Sequence, residues 1–92
     1  MTLNSITNPE KNEWLKKERK ISFEQVIFHL SQGDIWKIAD HPDQKNYPGQ
    51  KIYFVIIDNY IYAVPHISEK EYIFLKTINP SNAYFRHNTP VH

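Results

Sequence analysis

His66 closes the alternating run Tyr60-Ile61-Tyr62-Ala63-Val64-Pro65-His66, so in an extended chain it shares one face with Tyr60 and Tyr62. Imidazole is the side chain best able to exchange protons near neutral pH. In the preceding run Lys51 and Tyr53 share a face, and in the following run Lys76 lies with Tyr72 and Phe74. One sheet face is therefore expected to gather Lys51, Tyr53, Tyr60, Tyr62, His66 and Lys76. Cations interleaved with aromatic rings suit a single-stranded RNA, whose bases stack on rings while its phosphates meet ammonium groups. The structural alternative is that tyrosine is a favoured strand residue whose hydroxyl reaches water at a sheet margin.

Other chemistries find little support. Two glycines, Gly33 and Gly49, cannot build a phosphate-cradling loop, and no His-Glu-x-x-His string occurs. The absence of cysteine excludes a disulfide scaffold, a thiolate metal site and a cysteine nucleophile, and it fits a reducing cytosol. His87 and His92 stand five apart in the tail, a spacing that suits adventitious metal binding at most, and Asp40-His41-Pro42-Asp43 reads as a turn. Ser22 is explained as a helix cap, and His29 as a rim or core histidine of a helix. No cofactor or metal is expected.

The elements that must position these groups can be read from end signals. Asn8-Pro9-Glu10 is an N-cap, a first-position proline and an acid at the positive end of a helix dipole, which predicts a helix from Pro9 to about Arg19. Ser22-Phe23-Glu24-Gln25 is a capping box opening a second helix, whose Phe23, Val26, Ile27 and Leu30 recur at helical spacing before Gly33 ends it. Ile35–Ala39, Lys51–Ile57, Tyr60–His66 and Tyr72–Ile78 read as four strands, the middle two joined by the tight turn Asp58-Asn59. The expected fold is α+β, with two N-terminal helices on one face of a four-stranded antiparallel sheet. Ninety-two residues permit one domain, with 1–7 and 88–92 expected to be flexible.

A net charge of +1 provides no global field toward nucleic acid, and no helix has a sustained basic face for DNA. The longest apolar runs, Ile52–Ile57 and Tyr60–Pro65, fall far short of the roughly 20 residues of a membrane helix, and Met1–Thr7 has no leader pattern. A cytoplasmic protein without membrane contact is expected.

Several strings in order resemble the BrnT-type toxins of the RelE/ParE superfamily. They are Asn8-Pro9-Glu10-Lys11, Leu15-Lys16-Lys17, Ile21-Ser22-Phe23-Glu24, Asp40-His41-Pro42, and Phe74-Leu75-Lys76-Thr77-Ile78-Asn79-Pro80-Ser81, covering residues 8–81. The resemblance implies a RelE/ParE-like fold and a small bacterial ribonuclease of a type II toxin–antitoxin system. It also implies a cognate antitoxin that carries a DNA-binding domain and is expected to cover the aromatic and basic sheet face. Such RNA cleavage uses the 2′-hydroxyl as nucleophile and needs proton transfer and cations but no metal. Two departures stand out: Arg19-Lys20 replaces the usual His-Gly between the helices, and Ser81-Asn82-Ala83-Tyr84-Phe85-Arg86-His87 replaces a basic segment that carries active-site cations. By position, Arg86 would stabilise the pentacoordinate phosphate while His66 or His87 moves the proton, with Lys51, Tyr53, Tyr62 and Lys76 holding RNA. A degenerate, non-catalytic toxin-like protein that binds an antitoxin or another partner is the alternative.

Overall fold

A computed structural model describes residues 4–81. The element order is β1 (Asn4–Thr7), α1 (Pro9–Glu18), α2 (Phe23–Ser31), β2 (Ile35–Asp40), β3 (Lys51–Ile57), β4 (Tyr60–Ser68), β5 (Tyr72–Leu75) and β6 (Asn79–Pro80). The local signals act as read: the Asn8 side chain accepts from the Lys11 amide at 3.0 Å. Ser22 and Gln25 form a reciprocal capping box through bonds of 3.2 and 3.0 Å. Asp58 and Asn59 both take positive φ, +53° and +64°, the geometry of a two-residue hairpin turn whose twist matches the flanking strands.

The sheet is larger and less regular than four antiparallel strands. Its order is β1-β5-β4-β3-β2, with β6 also paired to β4. β2, β3, β4 and β5 pair antiparallel in sequence, whereas β1 runs parallel to β5 through Asn4↔Tyr72 and Thr7↔Leu75. Asn4–Thr7, expected as part of a flexible start, is thus a strand. Its four residues carry one aliphatic side chain, and its partner lies at the far end of the chain, so no local pattern announces it. The last predicted strand, Tyr72–Ile78, is shorter than expected: β5 ends at Leu75, and the Lys76 amide makes one more bond to the Pro65 carbonyl at 2.8 Å. A separate short strand, β6, pairs with β4 at Asn79–Pro80, where a break was expected.

Both helices pack on one sheet face. Leu15, Ile21, Phe23 and Val26 are buried against Val55, Ile57, Val64, Leu75 and Ile78. A smaller cluster, Ile52, Phe54 and Ala63 with Ala39 and Ile61, lies on the opposite face. The helices are tied to each other by Asn12 of α1, whose Oδ1 accepts from the buried Phe23 amide at 2.8 Å while its Nδ2 donates to the Glu24 carboxylate at 3.0 and 3.1 Å.

Lys20, between the helices, sits at φ +58°. Left-handed backbone crowds a Cβ, and glycine relieves this at the expense of a freer unfolded chain. Lys20→Gly is expected to raise stability by about 0.5 kcal/mol, read as a higher urea midpoint with an unchanged slope. A lower midpoint would show that the lysine side chain contributes more than the strain removes.

Candidate functional site

Of the residues expected on one exposed face, Lys51, Tyr53, Tyr60, Tyr62 and His66 do share a face, but it is the face on which the helices pack. Lys76 lies on the opposite face with Phe74, because it is Leu75 that pairs with His66. Register places Lys51 opposite His66, Tyr53 opposite Val64 and Val55 opposite Tyr62. Val55, Val64 and Ile57 on that face belong to the helix-packed core, and Tyr53 and Tyr62 are half-buried against it. The expectation of an open aromatic and basic surface is corrected accordingly for Tyr53, Tyr62 and His66, while Lys51 and Tyr60 stay exposed at its margin. An alternating pattern names the residues that share a face without saying which face the rest of the chain will cover.

His66 is 1% exposed. Its ring stacks on Tyr53 with centroids 3.8 Å apart and planes within 9°, and Leu75 of β5 faces it from the other side of the ladder. Nδ1 lies 3.1 Å from the Val64 carbonyl. A carbonyl only accepts, so the proton sits on Nδ1 and Nε2 is left as the basic nitrogen. Burial pushes the imidazole below its ordinary value of 6.5; the Val64 bond opposes this and the Lys51 charge adds to it. The ring is therefore neutral at pH 7, and it presents no surface to a phosphate. Burial also raises the Tyr53 hydroxyl, and it raises Tyr62 together with the neighbouring Tyr60 and Asp58.

Of the other predicted residues, Lys51 is exposed but bridges to Asp40 of β2, Nζ to Oδ1 at 2.9 Å. Lys76 is exposed just past β5, with its ammonium 4.7 Å from the centroid of the Phe74 ring. Tyr62 packs edge-on to Tyr60, centroids 4.8 Å apart. The structure thus unites Lys51, Tyr53 and His66 and sets Tyr62 and Lys76 apart from them. Arg86 and His87 lie outside the described residues.

A second cationic cluster went unread in the sequence. Arg19, the C-cap of α1, donates through Nη1 to the Ile78 carbonyl at 2.6 Å and to Asn79 Oδ1 at 2.8 Å, joining segments 59 residues apart. Its guanidinium also lies 5.0 Å from the centre of the Trp14 ring, and Lys11 Nζ lies 4.4 Å from it. Lys16, Lys17 and Lys20 are exposed nearby in sequence. The Lys11–Trp14 spacing of one helical turn was visible in the sequence, but the reach of Arg19 to the other end of the chain had no local signal. Among the described residues no group of three or more acidic or histidine side chains could hold a metal ion, and no helix is long and apolar enough to cross a membrane.

The chain matches no family model, no curated protein and no solved structure.

Proposed function

We propose that this chain is the toxin of a bacterial type II toxin–antitoxin pair, a metal-independent endoribonuclease partnered by an antitoxin that carries a DNA-binding domain. The observation that carries the reading is the Arg19 tether: it sets the basic end of α1 beside Ile78 and Asn79. Ile78 and Asn79 belong to the string Phe74–Ser81 that resembles the toxin pattern, just before the segment where that pattern carries its cations. Arg19 thus brings a cation to that end of the chain, although Arg19-Lys20 itself departs from the pattern. Fixed guanidinium and ammonium groups stabilise the charge that develops on phosphorus when the 2′-hydroxyl attacks. The chain runs on from this anchor to Arg86 and His87, to which the phosphate-stabilising and proton-moving roles are assigned. His66, being buried, supports the strand from within.

The test is growth arrest on induced expression together with cleavage of bulk RNA by the purified protein in the presence of a chelator. Arg19→Met, which loses the tether, is expected to cut cleavage on the order of tenfold, a modest share of what misplacing catalytic groups can cost. Cleavage as fast as the parent's would remove Arg19 from the mechanism. The burial of His66 and the pairing of Lys51 with Asp40 favour a second reading, a toxin-like protein that binds its partner without cleaving RNA. An inert protein that still captures a small DNA-binding partner on co-expression selects that reading.

A further inference from the structure

β2 ends the strand order, and among the described residues no strand lies along its outer side. Open strand edges are templates for pairing, and natural ones are commonly shortened, charged or broken by proline. The opposite edge follows that rule, since β1 has four residues. β2 has six, Ile-Trp-Lys-Ile-Ala-Asp, without proline, and its Trp36 and Ile38 are 51% and 54% exposed. These two side chains lie on opposite faces: Trp36 meets the Phe54 ring edge-on at 5.9 Å, and Ile38 stands opposite Tyr53. A docked helix could cover one of them. An added extended strand covers both, because its own side chains alternate between the faces.

The backbone states which residues would pair. The His41 amide donates to the Gln50 carbonyl at 3.0 Å, and that pair continues the register Asp40↔Lys51 and Ala39↔Ile52. Bonded and non-bonded pairs alternate along an antiparallel ladder. His41 and Ala39 therefore turn their polar groups toward β3, while Asp40 and Ile38 turn theirs outward.

We propose that this edge pairs with the same edge of a second copy of this chain, antiparallel about a two-fold axis at Ile38. In a continuous two-fold sheet, facing residues lie on the same face, so one residue near the centre must face its own copy. Centring on Lys37 would oppose two ammonium groups, which is destabilising. Centring on Ala39 would use groups already turned toward β3. Centring on Ile38 uses outward groups, brings two exposed isoleucines together, and sets Lys37 opposite Ala39, so that no like charges meet. The net charge of +1 leaves little repulsion between copies. A bulge between Ile35 and Lys37 carries Trp36 to the face opposite that of Asp40, which confines regular pairing to Lys37, Ile38 and Ala39 around the axis. The contact is accordingly smaller than the roughly 1,200 Å² of a standard interface, and the dimer dissociates on dilution.

The full chain is examined by sedimentation equilibrium from micromolar to millimolar concentration. The expected mass rises from 11.0 kDa and levels at twice that value. Ile38→Lys is expected to stay monomeric throughout with an unchanged circular dichroism spectrum, while Ile6→Lys on the opposite edge dimerises like the parent. Because the chain has no cysteine, Ile38→Cys supplies an independent readout. A hydrogen-bonded antiparallel pair has its Cα atoms about 5.5 Å apart, within disulfide range, so oxidation should give a covalent dimer faster than for Ile6→Cys. A parent that stays monomeric at every concentration, a mass that climbs without levelling, an Ile38→Lys protein that dimerises like the parent, or equal cross-linking at positions 38 and 6 overturns the proposal.

Discussion

Asn12→Ala is expected to lose about 2–3 kcal/mol of stability, as a buried donor left without its acceptor costs about 1–3 kcal/mol and a bond to a carboxylate is lost as well. Asn12 is 6% exposed and supplies the acceptor for the buried Phe23 amide, one of the orphan donors at the start of α2. Alanine removes that acceptor and leaves a space that water reaches poorly. The amide of Asn12 is also the leading cause that holds the exposed Glu24 carboxyl below its usual range. A chain of this size has a total stability of about 5–14 kcal/mol, so the loss is a large fraction of it. The thermal midpoint should drop by roughly 10–20 °C. Asn12→Asp keeps the acceptor but sets a second carboxylate against Glu24, so its defect should be greatest at neutral pH and shrink as the acids protonate. A midpoint for Asn12→Ala within a degree or two of the parent would show that the two helices hold together by their apolar contacts alone.

The second large effect is a loss of stability in acid that depends on His66. Its folded-state value lies below 6.5, because burial disfavours the imidazolium, whereas the unfolded chain titrates at the ordinary value. Below pH 6.5 the unfolded state binds more protons than the folded one, so stability falls as pH falls, until the folded-state value is reached. Above pH 6.5 both states are neutral and the residue adds no slope. One such group contributes up to about 1.4 kcal/mol per pH unit within that window. His66→Phe keeps a ring for Tyr53 to stack on but cannot titrate. The difference in unfolding free energy between parent and variant should therefore be constant above pH 6.5 and shift steadily in the variant's favour below it. Urea denaturation series at several pH values provide the measurement. Parallel curves through the acid range would mean that water reaches the imidazole and that the ring is not sealed between Tyr53 and Leu75.

Both effects arise where local pattern stops carrying information. Ser22, Gln25, Asn8 and Pro9 were legible because a cap is satisfied by groups within four residues of it. Asn12 carries the same kind of bond to Phe23 across a change of element, and nothing in its neighbours distinguishes it from a solvated helix residue. Arg19 is more remote still, its partners Ile78 and Asn79 lying at the other end of the chain. β1 is the same case in backbone form: the polar Asn4–Thr7 has no strand pattern of its own, and it becomes a strand because β5 presents an edge.

By itself, the amino-acid sequence determined the two helices and their ends, the Asp58-Asn59 hairpin, the order of the main strands and, within that hairpin, that Lys51, Tyr53, Tyr60 and Tyr62 share the face of His66. Each of these follows from contacts between near neighbours or from the two-residue period of a strand, which any extended segment must obey. Only the tertiary structure decided which way that face points, and it set Lys76 on the opposite one, because the pairing of β5 with β4 places Leu75 against His66. Both sides of β3 are apolar, with Ile52 and Phe54 on one and Val55 and Ile57 on the other, so alternation alone is symmetric between them. Placing the helices on the side of Val55, Val64 and Ile57 broke that symmetry, and in doing so it turned His66 from an exposed acid–base candidate into a neutral ring buried against Tyr53.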